Sequence, residues 1–167
     1  ASSYMESLGY DPLPYYEEPP ESPVSTPALF EKYPFILTTG GKTKAFFHSE
    51  HRQIPSLRKM NPDPLLEIHP AAAEELGIHD GDWVCIENSH GKCIQKAKYN
   101  ASIDKRAVHA QHGWWFPEQD AEEPVLYGAW QSNINLLLPS GWTGKAGLGY
   151  PLKAQICRVS KAEKPGG

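Results

Sequence analysis

The feature that most constrains the fold is a series of short strand patterns, each bounded by glycine, proline or a polar turn. These patterns are rich in β-branched and aromatic residues and alternate apolar with polar positions, which is typical of half-buried strands. We predict strands at 33–39, 65–69, 80–88, 92–100, 107–115 and 152–160. One clear helix pattern, 70–78, has Pro70 in its first turn and Gly77 at its end. This order of elements favours a closed, mostly antiparallel β-barrel.

The first 23 residues differ in composition from the rest of the chain. They hold five prolines, five of the 20 acidic residues and no lysine or arginine, so the net charge of −4 arises in this segment. Dense proline disfavours regular hydrogen-bonded structure. We predict that residues 1–30 are a linker from the preceding domains of a longer protein, that 31–162 form the barrel and that 163–167 are a disordered tail. No secretory-signal pattern or membrane-spanning apolar run is present, and no compartment follows from the sequence.

The cysteines and histidines do not have the spacing of a metal site. Cys85, Cys93 and Cys157 lie in separate alternating segments without a CxxC pattern, which predicts buried free thiols. The histidines at 48 and 51, and those at 109 and 112, are three residues apart and would point to opposite faces of an extended segment. We therefore predict no metal ligands and no catalytic residues within this chain.

A basic segment follows the first predicted strand. Six of the seven charged residues between Lys32 and Lys59 are cations, and "TTGGKTK" ends in the Gly-Lys-Thr of a nucleotide-binding P-loop. The complete motif requires a glycine five residues before Gly41, where Ile36 stands, and a helix after Lys42, which the sequence does not indicate. The P-loop interpretation fails. Paired glycines and nearby cations leave two alternatives, a site for an anionic ligand or a solvated turn.

Two further segments carry candidate binding residues. In "HGWWFPE" (112–118), Gly113 permits close backbone approach, and we predict that one of Trp114 and Trp115 packs inward while the other lines a flat ligand or an interface. In "SNINLLLPSG", Asn133 and Asn135 share a face of an extended run. Their amides suit the polar edge of a heterocycle, or they cap loops.

Taken in order, these blocks resemble the C-terminal, molybdopterin-guanine-dinucleotide-binding domain of the dimethyl sulfoxide reductase family of molybdenum and tungsten enzymes. The similarity extends over about residues 8–159 and rests on "LTTG", "EIHP", "LGIHDGDWV", "HGWWFPE" and "SNINL", with "GYDPLPYYEEPPESP" similar to the linker that enters this domain. The resemblance implies a six-stranded, closed double-psi β-barrel that holds a pterin dinucleotide from one side.

The resemblance also implies a set of cofactor-binding positions. The residues that match them are Thr38, Thr39, Gly40, Gly41, Lys42, His48, Ser49, Arg52, His112, Gly113, Asn133, Asn135 and Lys153. Many relatives have arginine directly after the TTG, where this chain has Gly41-Lys42, so the bidentate contact of an arginine with phosphate is absent here. Arg52 is expected to be a surface cation that contacts the cofactor.

For the whole protein, the resemblance implies an enzyme whose activity needs other domains. The expected cofactor is bis-molybdopterin guanine dinucleotide with molybdenum or tungsten held by the parent, and any iron–sulfur cluster lies in other domains. Expected partners are those domains and an iron–sulfur electron-transfer subunit, with no nucleic acid and no direct membrane insertion. Two alternatives stay open: a double-psi barrel that recognises substrates without a cofactor, and a small stand-alone subunit of a tungsten enzyme.

Overall fold

A computed structural model describes residues 2–41, 43–141 and 154–165. Six strands, each four to eight residues long, form the body of this part of the chain. They are β1 (Phe35–Thr39), β2 (Leu65–Ile68), β3 (Trp83–Glu87), β4 (Lys92–Tyr99), β5 (Ala107–Ala110) and β6 (Gln155–Lys161). The strands close into a barrel in the order β1-β5-β2-β4-β3-β6.

The barrel has an internal two-fold in its strand pairing. β1 pairs with β5 and β2 with β4 in parallel, and the four other pairs are antiparallel. Exchanging β1, β2 and β3 for β4, β5 and β6 leaves the set of pairs unchanged. Two interlocked three-stranded units of this kind are the topology of a double-psi barrel, so the predicted closed, six-stranded, mainly β fold is confirmed.

Alternation along each strand fills the barrel. β3 and β4 bury every second residue, because successive side chains of a strand point to opposite faces. The interior is mostly aliphatic; examples of fully buried residues are Leu37, Leu66, Ile68, Val84, Ile86 and Val108. A second cluster of Ala45, Phe46, Trp114 and Phe116 lies apart from this core.

Five short α-helices occur in the described ranges, two before β1 and three between strands. They are α1 (Ser3–Ser7), α2 (Pro27–Lys32), α3 (Pro55–Met60), α4 (Pro70–Glu75) and α5 (Ala129–Ser132). Only α4 was predicted. The proline at the first position of α3 is a signal for a helix start that the sequence analysis did not use. No helix in these ranges is both long and apolar enough to cross a bilayer.

One strand prediction was wrong at its end. β5 stops at Ala110, whereas the sequence pattern continued to residue 115. The backbone turns away at Gly113, whose φ of 62° is left-handed and incompatible with a strand. The segment from 111 to 117 is consequently a loop.

Part of the predicted linker packs on the barrel. Glu21 and Ser22 are buried, and Glu21 Oε1 lies 3.3 Å from His90 Nε2 in the turn between β3 and β4. Helix α2 spans the boundary that we drew after residue 30. The division into linker, barrel and tail stays a prediction, and residues 166–167 lie outside the described ranges.

The thiols agree with the sequence analysis. All three cysteines are free, with Cys93 and Cys157 buried and Cys85 half-buried. Burial raises the pKa of the Cys93 and Cys157 thiols well above the ordinary value, so both stay protonated.

Candidate functional site at one end of the barrel

Two loops leave the barrel side by side at what we call the site end, the edge where β1 and β5 finish. Because these strands are parallel and Thr39 is paired with Ala110, their carboxyl ends lie together. We call residues 40–54 the first loop and residues 111–117 the second loop. The carboxyl ends of β2 and β4 lie at the other edge, which we call the opposite end.

Unusual backbone conformations bring the two loops into contact. Gly40 and Gly113 have positive φ, and so do the non-glycine residues His48 (50°) and His51 (75°). A Cβ on Gly113 would lie 3.1 Å from the Cβ of Ser49, too close for an ordinary contact. The glycine therefore permits the loops to touch, and the left-handed histidines mark local strain of the kind found at binding sites.

Arg52 is the centre of the contact between the loops. Its guanidinium lies 4.7 Å from the ring centroids of both Phe46 and Trp114. Nη1 donates to the carbonyl oxygen of His48 at 2.9 Å, and Nη2 donates to that of His112 at 3.3 Å. The expectation of a surface cation was wrong, because Arg52 is only 1% exposed. Its buried guanidinium joins the two loops by a hydrogen bond to each.

The charge of Arg52 has no carboxylate partner among the described residues, and its Nε has no hydrogen-bond acceptor there. Burial, with a smaller contribution from the neighbouring positive charge of Arg58, lowers the pKa of Arg52 to about 10. The residue thus remains a cation at neutral pH. Arg58 differs, since it forms a salt bridge of 3.0 Å with Glu118. Within the described part of the chain, Arg52 is a buried positive charge that only carbonyl dipoles and aromatic faces offset.

Two histidines from different loops form a ring–ring contact that the sequence spacing did not suggest. His48 Nδ1 and His112 Nε2 are 3.1 Å apart, which is a hydrogen bond with one ring donating. Burial lowers the pKa of His112, and the nearby His48 and Arg52 charges act in the same direction. The neutral form of His112 is therefore favoured at neutral pH.

The end of β1 is connected to β5 by a third histidine. Thr38 Oγ1 lies 2.9 Å from His109 Nδ1, and a Cβ on Gly41 would overlap the His109 ring. Thr39 is buried, so its hydroxyl does not face the loops as an exposed group. Lys42 and Lys153, two of the predicted cofactor-binding residues, lie outside the described residues.

The two predicted asparagines have different surroundings. Asn133 Oδ1 accepts a hydrogen bond of 3.1 Å from the backbone N–H of Asn135, so it caps its own loop. The side chain of Asn135 is exposed and makes no hydrogen bond with any residue that the structure describes. Of the two open interpretations, loop capping applies to Asn133, while Asn135 has a free amide.

A buried glutamine joins the Asn133–Asn135 turn, which we call the asparagine loop, to the second loop. Gln95 Nε2 donates to the carbonyl oxygens of Gln111 (2.8 Å) and Ser132 (3.2 Å). These carbonyls directly precede His112 and Asn133, so residues far apart in sequence meet at the same end of the barrel. The sequence analysis missed Gln95, although a lone amide in the buried row of β4 is a signal in itself.

One of the two tryptophans packs inward, as predicted, and the proposed ligand or interface contact of the other stays a prediction. Trp114 is fully buried against Arg52, whereas Trp115 is half-buried and donates from Nε1 to the carbonyl oxygen of Ser49 at 2.5 Å. The Trp115 ring also packs edge-on against Tyr127, which is 41% exposed. Trp115 thus braces the first loop from outside.

Comparison with known proteins identifies the family. The family model described as "Molydopterin dinucleotide binding domain" matches residues 35–151, which include both loops and the asparagine segment. The chain belongs to this family. The resemblance to the dimethyl sulfoxide reductase family is thereby confirmed, and the chain is a molybdopterin-dinucleotide-binding domain of that family.

Three relatives illustrate the similarity. The chain is 40% identical over 138 residues to acetylene hydratase of Syntrophotalea acetylenica, which covers 82% of this chain and 19% of the relative. It is 41% identical over 128 residues to dopamine dehydroxylase of Eggerthella lenta, and the match covers 75% of this chain and 12% of that relative. The solved structure of acetylene hydratase from Pelobacter acetylenicus superposes with a TM-score of 0.86 and 34% identity, covering 96% of this chain and 23% of that one. The chain thus spans about a fifth or less of the relatives that it matches by sequence.

Proposed function

We propose that this chain forms one wall of the cofactor site in a larger molybdenum or tungsten enzyme, and that its site end contacts a molybdopterin guanine dinucleotide. The single observation that carries the proposal is the meeting of the two loops around buried Arg52 at the end of the barrel. Further domains, a second pterin of a bis-cofactor and an iron–sulfur partner subunit belong to the same proposal, because the similar proteins are several times longer.

The residues at the site end fit an anionic, polar ligand. The buried positive charge of Arg52 has no acid beside it among the described residues, so a phosphate nearby would lower its electrostatic cost. Gly40 and Gly41 follow β1 without bulk at Cα, and consecutive backbone N–H groups at such a position bind phosphate oxygens. The contacts made by a pyrophosphate would be to this backbone and to Lys42.

The pterin or guanine heterocycle requires donors and acceptors at fixed positions. The exposed amide of Asn135 offers both, and the His48–His112 pair offers ring nitrogens that can donate or accept according to tautomer. Because Asn133 already caps its loop, we assign it a positioning role. The metal carried by the bound cofactor supplies the reactive centre, while the residues of this chain bind and orient the organic part.

Titration of the isotope-labelled chain with GDP tests this proposal. GDP provides the guanine, ribose and diphosphate of the cofactor, and we expect weak binding on the order of millimolar because one wall supplies only part of the contacts. Amide shifts should appear at 40–41, 48–49, 112–113 and 133–135 and should weaken with salt. His48→Ala should reduce the affinity, whereas His79→Ala, an exposed histidine at the opposite end, should not.

Shifts confined to the opposite end, for instance to residues 100–106, would contradict the proposal. An absence of shifts at the site end up to high GDP concentration would also contradict it and would favour a substrate-recognition barrel.

A further inference from the structure

We propose that Gln95 is a positioning residue that sets the spacing between the second loop and the asparagine loop, and thereby the geometry of the dinucleotide site. This inference rests on the proposed function. Gln95 lies in a barrel strand, and its side chain sets the position of the His112–Gly113 segment relative to the Asn133–Asn135 turn.

The location of Gln95 makes it exceptional within its strand. The inward row of β4 consists of Cys93, Gln95 and Ala97, and Gln95 is the one member with a strongly polar side chain. It is completely inaccessible to solvent. A primary amide in such a position loses its hydration, so an apolar residue of the same size would suit the barrel core better. A role outside core packing is needed to account for it.

The hydrogen bonds of Gln95 supply that role. Its Nε2 donates to Gln111 O at 2.8 Å and to Ser132 O at 3.2 Å, and both partners are backbone carbonyls. Because carbonyl oxygens can only accept, the amide nitrogen must face them and uses both of its protons. One nitrogen therefore fixes the distance between two chain segments that are 21 residues apart in sequence.

The residues that follow these carbonyls face the proposed ligand. His112 and Gly113 come directly after Gln111, and the Asn133–Asn135 turn comes directly after Ser132. Helix α5 is only four residues long and is preceded by a positive-φ glycine, so its own hydrogen bonds provide little rigidity. The link to Gln95 compensates, since it ties the end of α5 to a barrel strand.

The side-chain oxygen of Gln95, which has no hydrogen-bond partner among the described residues, supports a role in positioning the loops rather than in stabilising the core. Gln95 Oε1 and Ser132 Oγ are buried and have no hydrogen-bond partner within the described residues. A side chain selected only for stability would satisfy its acceptor as well as its donor. Gln95 instead satisfies only the two contacts that join the loops.

Substitution of Gln95 by methionine tests the proposal. Methionine keeps the length and volume of glutamine but cannot donate, so both loop contacts are lost without a cavity. The matched control is Cys93→Ala, which truncates a buried residue of the same row that contacts neither loop through a hydrogen bond. Two quantities are measured for each variant: the GDP dissociation constant, and the amide and carbonyl chemical shifts of the ligand-free chain.

We expect Gln95→Met to weaken GDP binding about tenfold. We also expect it to shift residues 111–113 and 132–135 before any ligand is added. Cys93→Ala should lower the melting temperature yet retain the GDP affinity of the wild type. This split between stability and affinity separates positioning from a general structural role.

Three results would overturn the assignment. The first is a folded Gln95→Met chain with unchanged GDP affinity, and the second is a ligand-free spectrum in which the two loops do not move. The third needs no variant: rapid solvent exchange of the Gln95 side-chain amide protons in the wild type would show that the hydrogen bonds are absent. If the loops move but even the wild type gives no GDP shifts, the proposed function fails, and the site role of Gln95 fails with it.

Discussion

The two ends of the barrel are related by its internal two-fold, yet they are built differently. At the opposite end the ladder between β2 and β4 continues past the strands, with Asn100 N–H donating to Ile68 O at 2.9 Å. The two-fold equivalent of Asn100 is Gly40, and among the described residues no hydrogen bond joins Gly40 to Ala110. The ladder at the opposite end is thus one hydrogen bond longer than the ladder at the site end.

Side chains increase this contrast. Asn100 Nδ2 donates to Glu67 at 2.7 Å and Asn100 Oδ1 accepts from Ser102 N–H, which closes the opposite end locally. The site end uses glycines, left-handed histidines and a cation that bridges distant loops. Because strand pairing closes the barrel around its whole circumference, one end can be closed locally while the other is available for the binding that we propose.

The largest effect is expected for Arg52→Met. The change removes a buried cation that bonds to both loops and stacks on two aromatic rings, so the free energy of unfolding should fall by about 2–4 kcal/mol. Arg106→Met is the control at the opposite end, where an exposed arginine pairs with Asp104 and with no other acid that the structure describes, and it should cost about 0.5 kcal/mol or less. Urea denaturation measures both, and equal losses would show that the two ends are equivalent.

A glycine pair gives the next largest difference. Gly113→Ala forces a left-handed alanine against the backbone of Ser49, 3.2 Å away at Cα, and should destabilise the fold by about 2 kcal/mol. Gly77→Ala also has positive φ but meets nothing within 4 Å, so only about 1 kcal/mol is expected. Thermal unfolding compares them. A Gly113→Ala chain as stable as Gly77→Ala would mean that the loops do not touch in solution.

An asparagine pair should separate stability from binding. Asn100→Ala removes two hydrogen bonds at the opposite end and should lower the unfolding free energy by about 1 kcal/mol without changing GDP affinity. Asn135→Ala removes an exposed amide and should do the reverse, with weaker GDP binding at unchanged stability. Calorimetric melting and GDP titration of both variants check these two expectations. A loss of GDP affinity in Asn100→Ala, or a loss of stability in Asn135→Ala, would contradict them.

The smallest effect concerns pH. Burial lowers the pKa of His112 in the folded chain, so below about pH 6.5 the unfolded chain holds more protons and the unfolding free energy falls as pH decreases. Above about pH 6.5 His112 is mostly neutral in both the folded and the unfolded chain, so its protonation no longer lowers the unfolding free energy. His112→Gln should remove a part of the fall between about pH 7.5 and about pH 5.5. His79→Gln, with an exposed ring, should keep the fall; an identical slope in both variants would contradict the assignment.

The sequence by itself determined the strands and the class of fold. Alternation of buried residues depends only on the period of a β-strand, so β1 to β4 and β6 were predicted close to their observed positions. Short residue blocks also determined the family, because they persist in order along the chain. The end of β5 was predicted wrongly, because the apolar residues after Gly113 belong to a second packing cluster around Trp114 and not to the strand.

Only the tertiary structure decided which polar groups do what. Arg52 was expected at the surface, since nothing local shows that it packs against Trp114, which is 62 residues away in sequence, as well as against Phe46. The His48–His112 contact and the two bonds of Gln95 likewise join segments whose meeting depends on barrel closure. Local patterns follow from backbone period and turn chemistry, whereas the partner of a buried polar group is set by which strands lie next to each other.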